Sequence, residues 1–124
     1  MTGDEIEGQI LLLTAAKASV PPGRLPELVE RAGAYFERNL ERYRRGYECV
    51  FEGDDRAAFF VGWGHWDEVG DELGLSVRER SAVRRAHEEQ LRRIGRREGR
   101  EAEFETALEI RDPVLVATAV EDSK

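Results

Sequence analysis

The sequence predicts one α+β domain that is mainly helical, with about five helices and a small antiparallel β-hairpin or sheet. Over most of the chain, apolar residues recur every three or four positions, which is the spacing of amphipathic helices. Two short apolar and aromatic runs flank the turn-forming sequence EGDDR, and a third run, PVLVATAV, follows at 113–120. A chain of 124 residues fits one domain, 1–124, in which we expect 121–124 to be a disordered tail.

Composition limits the class of protein. The net charge is -7, the charged fraction is 36%, and all but two of the 19 basic residues are arginine. There is one cysteine, so an intrachain disulfide is excluded, as is usual for cytoplasmic proteins. No apolar run has the ~18 residues of a membrane helix, and the acidic start MTGDEIEGQ is unlike a secretory signal. We therefore expect a cytoplasmic protein with no membrane partner.

The first half of the chain predicts two helices and a hairpin. Thr2 and Glu5 have the spacing of a capping box, so we expect a mostly buried helix over about 3–18. The sequence VPPG breaks it, and a long amphipathic helix is predicted over about 25–46, with Pro26 in its first turn. Strands are then predicted at 47–52 and 57–62, around a GDD turn.

The second half predicts a tightly joined helix pair. One short helix covers 65–73, Gly74 ends it in a left-handed conformation, and Leu75 follows as an apolar plug into the core. Ser76 and Glu79 form a second capping box that starts the next helix. A further helix is predicted within EAEFETALEI, ended by Pro113. The run at 113–120 is expected to pair with the hairpin; the alternative is a frayed terminus.

Residues 66–85 resemble the helix-turn-helix DNA-binding family. The matching positions are Val69, Gly70, Leu73, Gly74, Leu75 and Ser76, in the order of that family. Arg80 departs from it, because the family places there an apolar residue that packs on the first helix. Val77 or Val83 is expected to take that role. The resemblance implies a second helix that enters the major groove of DNA. The acidic, lysine-poor composition also resembles small uncharacterised proteins of salt-loving archaea.

Arginines crowd the second helix of this pair. Residues 78–100 contain nine arginines and four glutamates, within a chain that is acidic overall. At about 100° per residue, Arg78, Arg85, Arg92 and Arg96 lie on the side opposite Val83, His87, Gln90, Leu91 and Ile94. Our first hypothesis is a DNA-binding or regulatory protein that contacts phosphates through Arg78, Arg84, Arg85, Arg92 and Arg96. The alternative is a non-enzymatic protein interaction module, with a homodimer as one form of it, in which this face meets an acidic surface. A solvated face is the third interpretation.

No pattern of catalytic or metal-binding residues is evident. His65, His87 and Cys49 lie far apart and lack zinc-site spacing, so we expect no metal, no cofactor and no enzyme activity. His87 is expected at the edge of the core, His65 as a local hydrogen-bonding residue, and Cys49 as a small buried residue of a strand. The aromatic residues Trp63, Trp66, Phe59 and Phe60 predict core packing, with an exposed aromatic for a partner or a base as the alternative.

Overall fold

Six helices and three strands form the described part of the chain, which in this computed structural model comprises residues 5–18, 20–21 and 23–118. In chain order they are α1 (Gly8–Lys17), α2 (Arg24–Arg38), α3 (Leu40–Gly46), β1 (Glu48–Glu52), β2 (Arg56–Val61), α4 (His65–Leu73), α5 (Val77–Glu98), α6 (Glu101–Leu108) and β3 (Asp112–Ala117). The predicted α+β class, mainly helical with a small antiparallel sheet, is confirmed.

The sheet has the order β1-β2-β3, and both pairings are antiparallel. A short turn joins β1 to β2, where the Gly53 N–H donates to the Arg56 carbonyl oxygen at 2.8 Å. Phe59 of β2 lies opposite Cys49 on one side and Val114 on the other. The predicted hairpin and third strand are therefore confirmed over the described residues. Residues 119–120 of the predicted run at 113–120, and the predicted tail at 121–124, lie outside them.

The outer edge of β3 is occupied by side chains of two helices. The Leu115 N–H donates to His87 Nδ1 at 2.9 Å, and Trp66 Nε1 donates to the Pro113 carbonyl oxygen at 3.0 Å. Pro113 itself has no N–H, which an edge strand tolerates. Helices α4 and α5 are thus fixed to the sheet by polar contacts as well as by apolar packing.

Helix α5 is the central element of the fold. It packs against α1, α2, α4, α6 and β3. The side predicted to be apolar is fully or almost fully buried at Val83, His87, Gln90, Leu91 and Ile94, so that prediction is confirmed. Because so many elements surround α5, a large part of its surface is enclosed by the same chain.

The predicted start of the first helix is wrong. Helix α1 begins at Gly8, and its N-cap Glu7 has an extended backbone. The Glu7 N–H donates to Gln90 Oε1 at 2.7 Å, a tertiary contact that holds residue 7 outside the helix. The predicted cap Thr2 lies outside the described residues. The helix is also less buried than expected, since Leu12 and Leu13 are exposed.

The single long helix predicted at 25–46 is two helices. The break falls at Asn39, whose backbone leaves the helical range and whose side-chain amide donates to the Tyr35 carbonyl oxygen at 2.8 Å. Asparagine competes for backbone groups in this way, which disfavours it inside helices. Pro26 lies in the first turn of α2, as predicted. Helix α6 ends at Leu108, well before Pro113, which lies in β3.

The turn between α4 and α5 has the predicted chemistry. Gly74 has a φ of 70°, a left-handed conformation that only glycine adopts at little cost. Leu75 is buried, and its N–H donates to the Gly70 carbonyl oxygen at 2.9 Å. The Glu79 N–H donates to Ser76 Oγ at 3.1 Å, and the Ser76 N–H donates to Glu79 Oε1 at 2.9 Å, which completes the capping box.

Replacing Ser76 by alanine is expected to lower the free energy of unfolding by about 1 kcal/mol, because the N-cap acceptor is lost. Ser81, which lies inside α5, provides the matched control. Ser81→Ala is expected to leave stability unchanged or slightly raised, since alanine favours helices. Urea unfolding followed by circular dichroism measures both, and equal effects of the two substitutions would contradict the capping role.

Candidate functional site

A cleft opens beside the turn between α4 and α5. Its volume is about 360 Å³, and it is bounded by the start of α4, the first half of α5, the end of α6 and the start of β3. Its apolar lining consists of Trp63, Trp66, Val77 and Leu108, and its charged lining of Asp67, Arg80, Arg84, Glu88 and Asp112. Apolar walls with a few charged groups are typical of ligand-binding sites.

Arg80 takes the position where the helix-turn-helix resemblance places an apolar residue. Its aliphatic stem lies directly over Gly70, since a Cβ on that glycine would come within 2.6 Å of Arg80 Cδ. Its guanidinium reaches Asp67 at 3.4 Å and Asp71 at 3.8 Å. Val83 is buried as expected, whereas Val77 is exposed and does not replace Arg80. The methylenes of arginine thus fill the helix contact, and its charge stays at the surface.

Trp63 and Val77 expose apolar surface at the mouth of the cleft. Trp63 is 73% exposed and Val77 70% exposed, unlike Trp66, Phe59 and Phe60, which are buried. Core packing is therefore confirmed for Trp66, Phe59 and Phe60, whereas Trp63 lies outside the core. The indole of Trp63 is held in place, because its Nε1 donates to the Ile110 carbonyl oxygen at 2.5 Å.

The lining of the cleft includes a partly buried carboxylate, that of Asp112, whose negative charge is only weakly balanced by a nearby cation. The closest cation to Asp112 is Arg84, whose Nη1 lies 3.7 Å from Oδ1 but only 2.6 Å from Glu88 Oε2. Burial raises the pKa of Asp112, and the nearby Asp67 adds to this, while Arg84 opposes it. Within the described chain, no hydrogen bond to the Asp112 carboxylate satisfies ordinary distance limits.

Three of the five predicted nucleic-acid-binding arginines are paired with carboxylates of the same chain. Arg84 binds Glu88, as described above. Arg92 donates to Glu89 at 3.0 Å and to Glu105 at 2.9 Å. Arg96 lies 3.8 Å from Glu101, a residue of α6. The predicted stripe is therefore partly neutralised by glutamates of α5 itself and of α6.

Arg78 and Arg85 differ from these three. Neither forms an ion pair with any residue that the structure describes. Arg78 is exposed and Arg85 is half-buried, and both lie in the first half of α5. Of the five predicted residues, these two keep guanidinium groups available to an external anion.

A second arginine cluster was not predicted. Arg97 donates to both carboxylate oxygens of Glu7, at 2.7 and 3.0 Å, Arg93 donates to one at 3.1 Å, and Gln90 Nε2 donates at 2.9 Å. The Arg97 bonds, helped by those of Gln90 and Arg93, lower the pKa of Glu7 to about 2. This cluster fixes the start of α1 to the second half of α5, so its arginines serve the fold.

The two histidines are structural. His65 Nε2 lies 2.5 Å from the Tyr43 hydroxyl, and its Nδ1 lies 3.4 Å from the Tyr47 hydroxyl. His65 therefore forms hydrogen bonds as predicted, but with partners 22 and 18 positions away rather than local ones. His87 was expected at the core edge, but it is completely buried. Burial lowers the pKa of His65 and lowers that of His87 to about 3. Both rings are therefore neutral near neutral pH.

Cys49 is exposed, so the prediction that it is a small buried residue is wrong. It lies on the outer strand β1 of the sheet. In the part of the chain that the structure describes, no three His, Cys, Asp or Glu side chains are grouped to hold a metal ion.

The exposed side of α4 is acidic. Asp67, Glu68, Asp71 and Glu72 are all exposed there. In DNA complexes of the helix-turn-helix family, the first helix of the pair crosses the phosphate backbone. Four carboxylates at this position would repel phosphates.

The cleft residues Trp63, Val77 and Asp112 were not proposed as a site from the sequence. Trp63 lies in the sequence GWG between a strand and a helix, and such flanking glycines are a signal for an exposed aromatic on a short connection. Val77 follows directly after the N-cap Ser76, in the first turn, where the sequence carries no information on which side faces the core. No local sequence pattern marks Asp112 as a site residue, because the residues that surround it in the cleft come from distant parts of the chain.

No helix in the described residues has the length and apolar character needed to span a membrane.

Comparison with known proteins identifies the family. Neither the curated proteins nor the solved structures include a match to this chain. A family model described as a domain of unknown function, DUF8048, matches residues 4–118. That match spans all six helices and all three strands, and the chain therefore belongs to the DUF8048 family.

Proposed function

We propose that the protein is a non-enzymatic interaction module that binds a segment of a partner protein in the cleft between α4 and α5. The observation that carries this proposal is the exposed indole of Trp63, fixed by its bond to the Ile110 carbonyl oxygen at the mouth of a cleft of about 360 Å³. Tryptophan side chains in such positions are enriched among the residues that dominate binding energy in protein interfaces.

The neighbouring surface supports this proposal. Val77 is 70% exposed and lines the same cleft as Trp63. Scattered exposed apolar residues are normal, whereas a grouped set beside a concave site is typical of a binding surface. Charged residues around them, such as Asp67 and Arg80, would form the polar rim that interfaces usually have.

DNA binding stays a prediction, and the geometry favours it less. The four carboxylates of α4 would face phosphates in the docking mode that the resemblance implies. Arg84, Arg92 and Arg96 already pair with carboxylates, so releasing them for phosphates would cost those contacts. Arg78 and Arg85 alone among the predicted residues remain available, and two phosphate contacts supply weak, salt-sensitive binding.

Site-specific photocrosslinking tests the proposed function. A benzophenone amino acid at Val77 is expected to form a discrete protein adduct in cells that naturally make this chain. The same probe at Leu12, which is equally exposed but on α1, serves as the matched control. The purified partner should then bind the wild-type chain, and Trp63→Ala should weaken binding by at least about tenfold, since interface tryptophans commonly contribute more than 1.4 kcal/mol.

Two outcomes would contradict the proposal. One is crosslinking at Val77 that matches the Leu12 control and is unchanged by Trp63→Ala. The other is tight binding of duplex DNA that is lost in the double variant Arg78→Glu, Arg85→Glu and retained in Trp63→Ala, which would support the DNA hypothesis instead.

A further inference from the structure

We propose that the cleft recognises one basic side chain, an arginine or a lysine, of the partner segment. This inference rests on the proposed function and specifies the chemistry of that same site. It follows from the charges that line the cleft, from the incomplete hydrogen bonding of Asp112, and from the position of the Trp63 indole.

The charges that line the cleft leave it short of one cation. Asp67, Glu88 and Asp112 contribute three negative charges, whereas Arg80 and Arg84 contribute two positive charges. Arg80 already forms ion pairs with Asp67 and Asp71 on α4. An added cation would therefore neutralise the site, and an added anion would increase its imbalance.

Asp112 is the carboxylate that this cation would reach. Only 13% of its side chain is exposed, and the Arg84 guanidinium, its nearest cation, lies closer to Glu88 than to Asp112. Asp112 is partly buried, and no donor among the described residues lies within ordinary hydrogen-bond distance of its carboxylate. The guanidinium or ammonium group of a partner would supply such donors, and a guanidinium could supply two to one carboxylate.

Trp63 provides the second element that selects a cation. Its bond to the Ile110 carbonyl oxygen holds the indole near the residues that lead into Asp112. A cation over an indole face gains electrostatic attraction from the ring. The aliphatic stem of arginine or lysine would lie on the apolar lining formed by Val77 and Leu108.

An acidic side chain fits the site less well. Among the described residues, the basic residues that line the site are Arg80 and Arg84, and each already pairs with a carboxylate at 3.4 Å or less. A large apolar side chain would bury Asp112 further without giving it a donor. The volume of about 360 Å³ lies near the lower limit for ligand sites, which suits one long side chain.

Binding to immobilised peptide pools tests the inference. Each pool contains capped peptides with one fixed central residue and random flanking residues, and the full-length protein is applied at physiological salt. We expect pools with central arginine or lysine to retain about tenfold more protein than pools with central citrulline, glutamine or glutamate, which corresponds to ~1.4 kcal/mol. Citrulline has the shape of arginine without its charge, so this comparison isolates the charge.

Matched variants separate the cleft from general attraction between basic peptides and an acidic protein. Trp63→Ala and Asp112→Asn are each expected to abolish the preference for central arginine or lysine. Leu12→Ala removes an exposed apolar side chain elsewhere, and Asp54→Asn removes an exposed aspartate in the β1–β2 turn, so both should keep it. Circular dichroism confirms that each variant is folded.

The possible failures are distinguishable. Two outcomes would overturn the inference and leave the proposed function standing. In the first, retention depends on Trp63 but is equal for central citrulline and central arginine. In the second, retention depends on Trp63 but is greatest for pools with a central apolar or acidic residue. Retention of basic pools that Asp112→Asn leaves unchanged would also overturn it. If no pool shows retention that depends on Trp63, the proposed function itself fails.

Discussion

Replacing Phe36 by alanine is expected to lower the free energy of unfolding by about 3 to 5 kcal/mol. Phe36 is completely buried, and its ring lies 5.3 Å from that of Trp66 and 5.6 Å from those of Tyr43 and His87. The substitution therefore leaves a cavity where α2, α3, α4 and α5 meet. Because a domain of this size is stable by about 5 to 15 kcal/mol, the loss is a large share of the total.

Urea unfolding, followed by circular dichroism and tryptophan fluorescence, measures this effect. Phe36→Leu keeps much of the apolar volume and should cost less than Phe36→Ala. Leu12→Ala, at an exposed position on α1, should change stability by no more than about 0.5 kcal/mol. A cost for Phe36→Ala close to that of Leu12→Ala would mean that the ring cluster is not the centre of the core.

Acidification is expected to destabilise the protein from about pH 6.5 downward, well before most carboxylates titrate. The pKa of His87 falls from 6.5 in the unfolded chain to about 3 in the folded protein, because burial excludes the charged ring. Above pH 6.5 the ring is neutral in both states and pH has no effect. Between these two values only the unfolded state binds the proton, so each pH unit lost costs about 1.4 kcal/mol.

His87→Asn tests the assignment of this effect. The Asn Oδ1 atom can still accept the Leu115 N–H, but it does not titrate. We expect this variant to be less stable at neutral pH and to lose less of its remaining stability between about pH 7 and about pH 5 than the wild type. His65, whose pKa is also lowered by burial, accounts for a residual slope. An unchanged slope in His87→Asn would contradict the assignment.

The local elements of this fold follow from short stretches of sequence. Gly74 and the Ser76–Glu79 box define a turn through groups within a few residues of one another, so the sequence predicts it well. The hairpin around Gly53 and the buried side of α5 are equally local, since each depends on turn chemistry or on helical spacing.

The errors arise where distant residues decide the outcome. The start of α1 is set by Gln90, Arg93 and Arg97, which lie more than 80 residues from Glu7. The amphipathic pattern continues through Asn39, so helical spacing alone does not reveal that the helix breaks there. The arginine stripe was predicted from α5 alone, and Glu101 and Glu105, which take two of its charges, belong to another helix.

The candidate site was the least predictable part. Helical spacing assigns buried and exposed sides of an element, but the cleft is formed where four elements end or begin. Trp63 and Asp112 lie 49 positions apart in the sequence and face the same cleft only after α6 has returned the chain to β3. A tertiary arrangement of this kind leaves no periodic pattern in a single sequence.

The hydrogen bonds at the outer edges of the sheet affect how this protein can contact others. Trp66 and His87 occupy the free edge of β3, while Arg100 donates to the Val50 carbonyl oxygen on β1, whose register is irregular at that point. An open sheet edge is a template for an incoming strand, from a partner or from another copy during aggregation. Because side chains contact both outer strands, strand addition would have to displace them, so we expect associations of the folded chain to be made mainly through side chains.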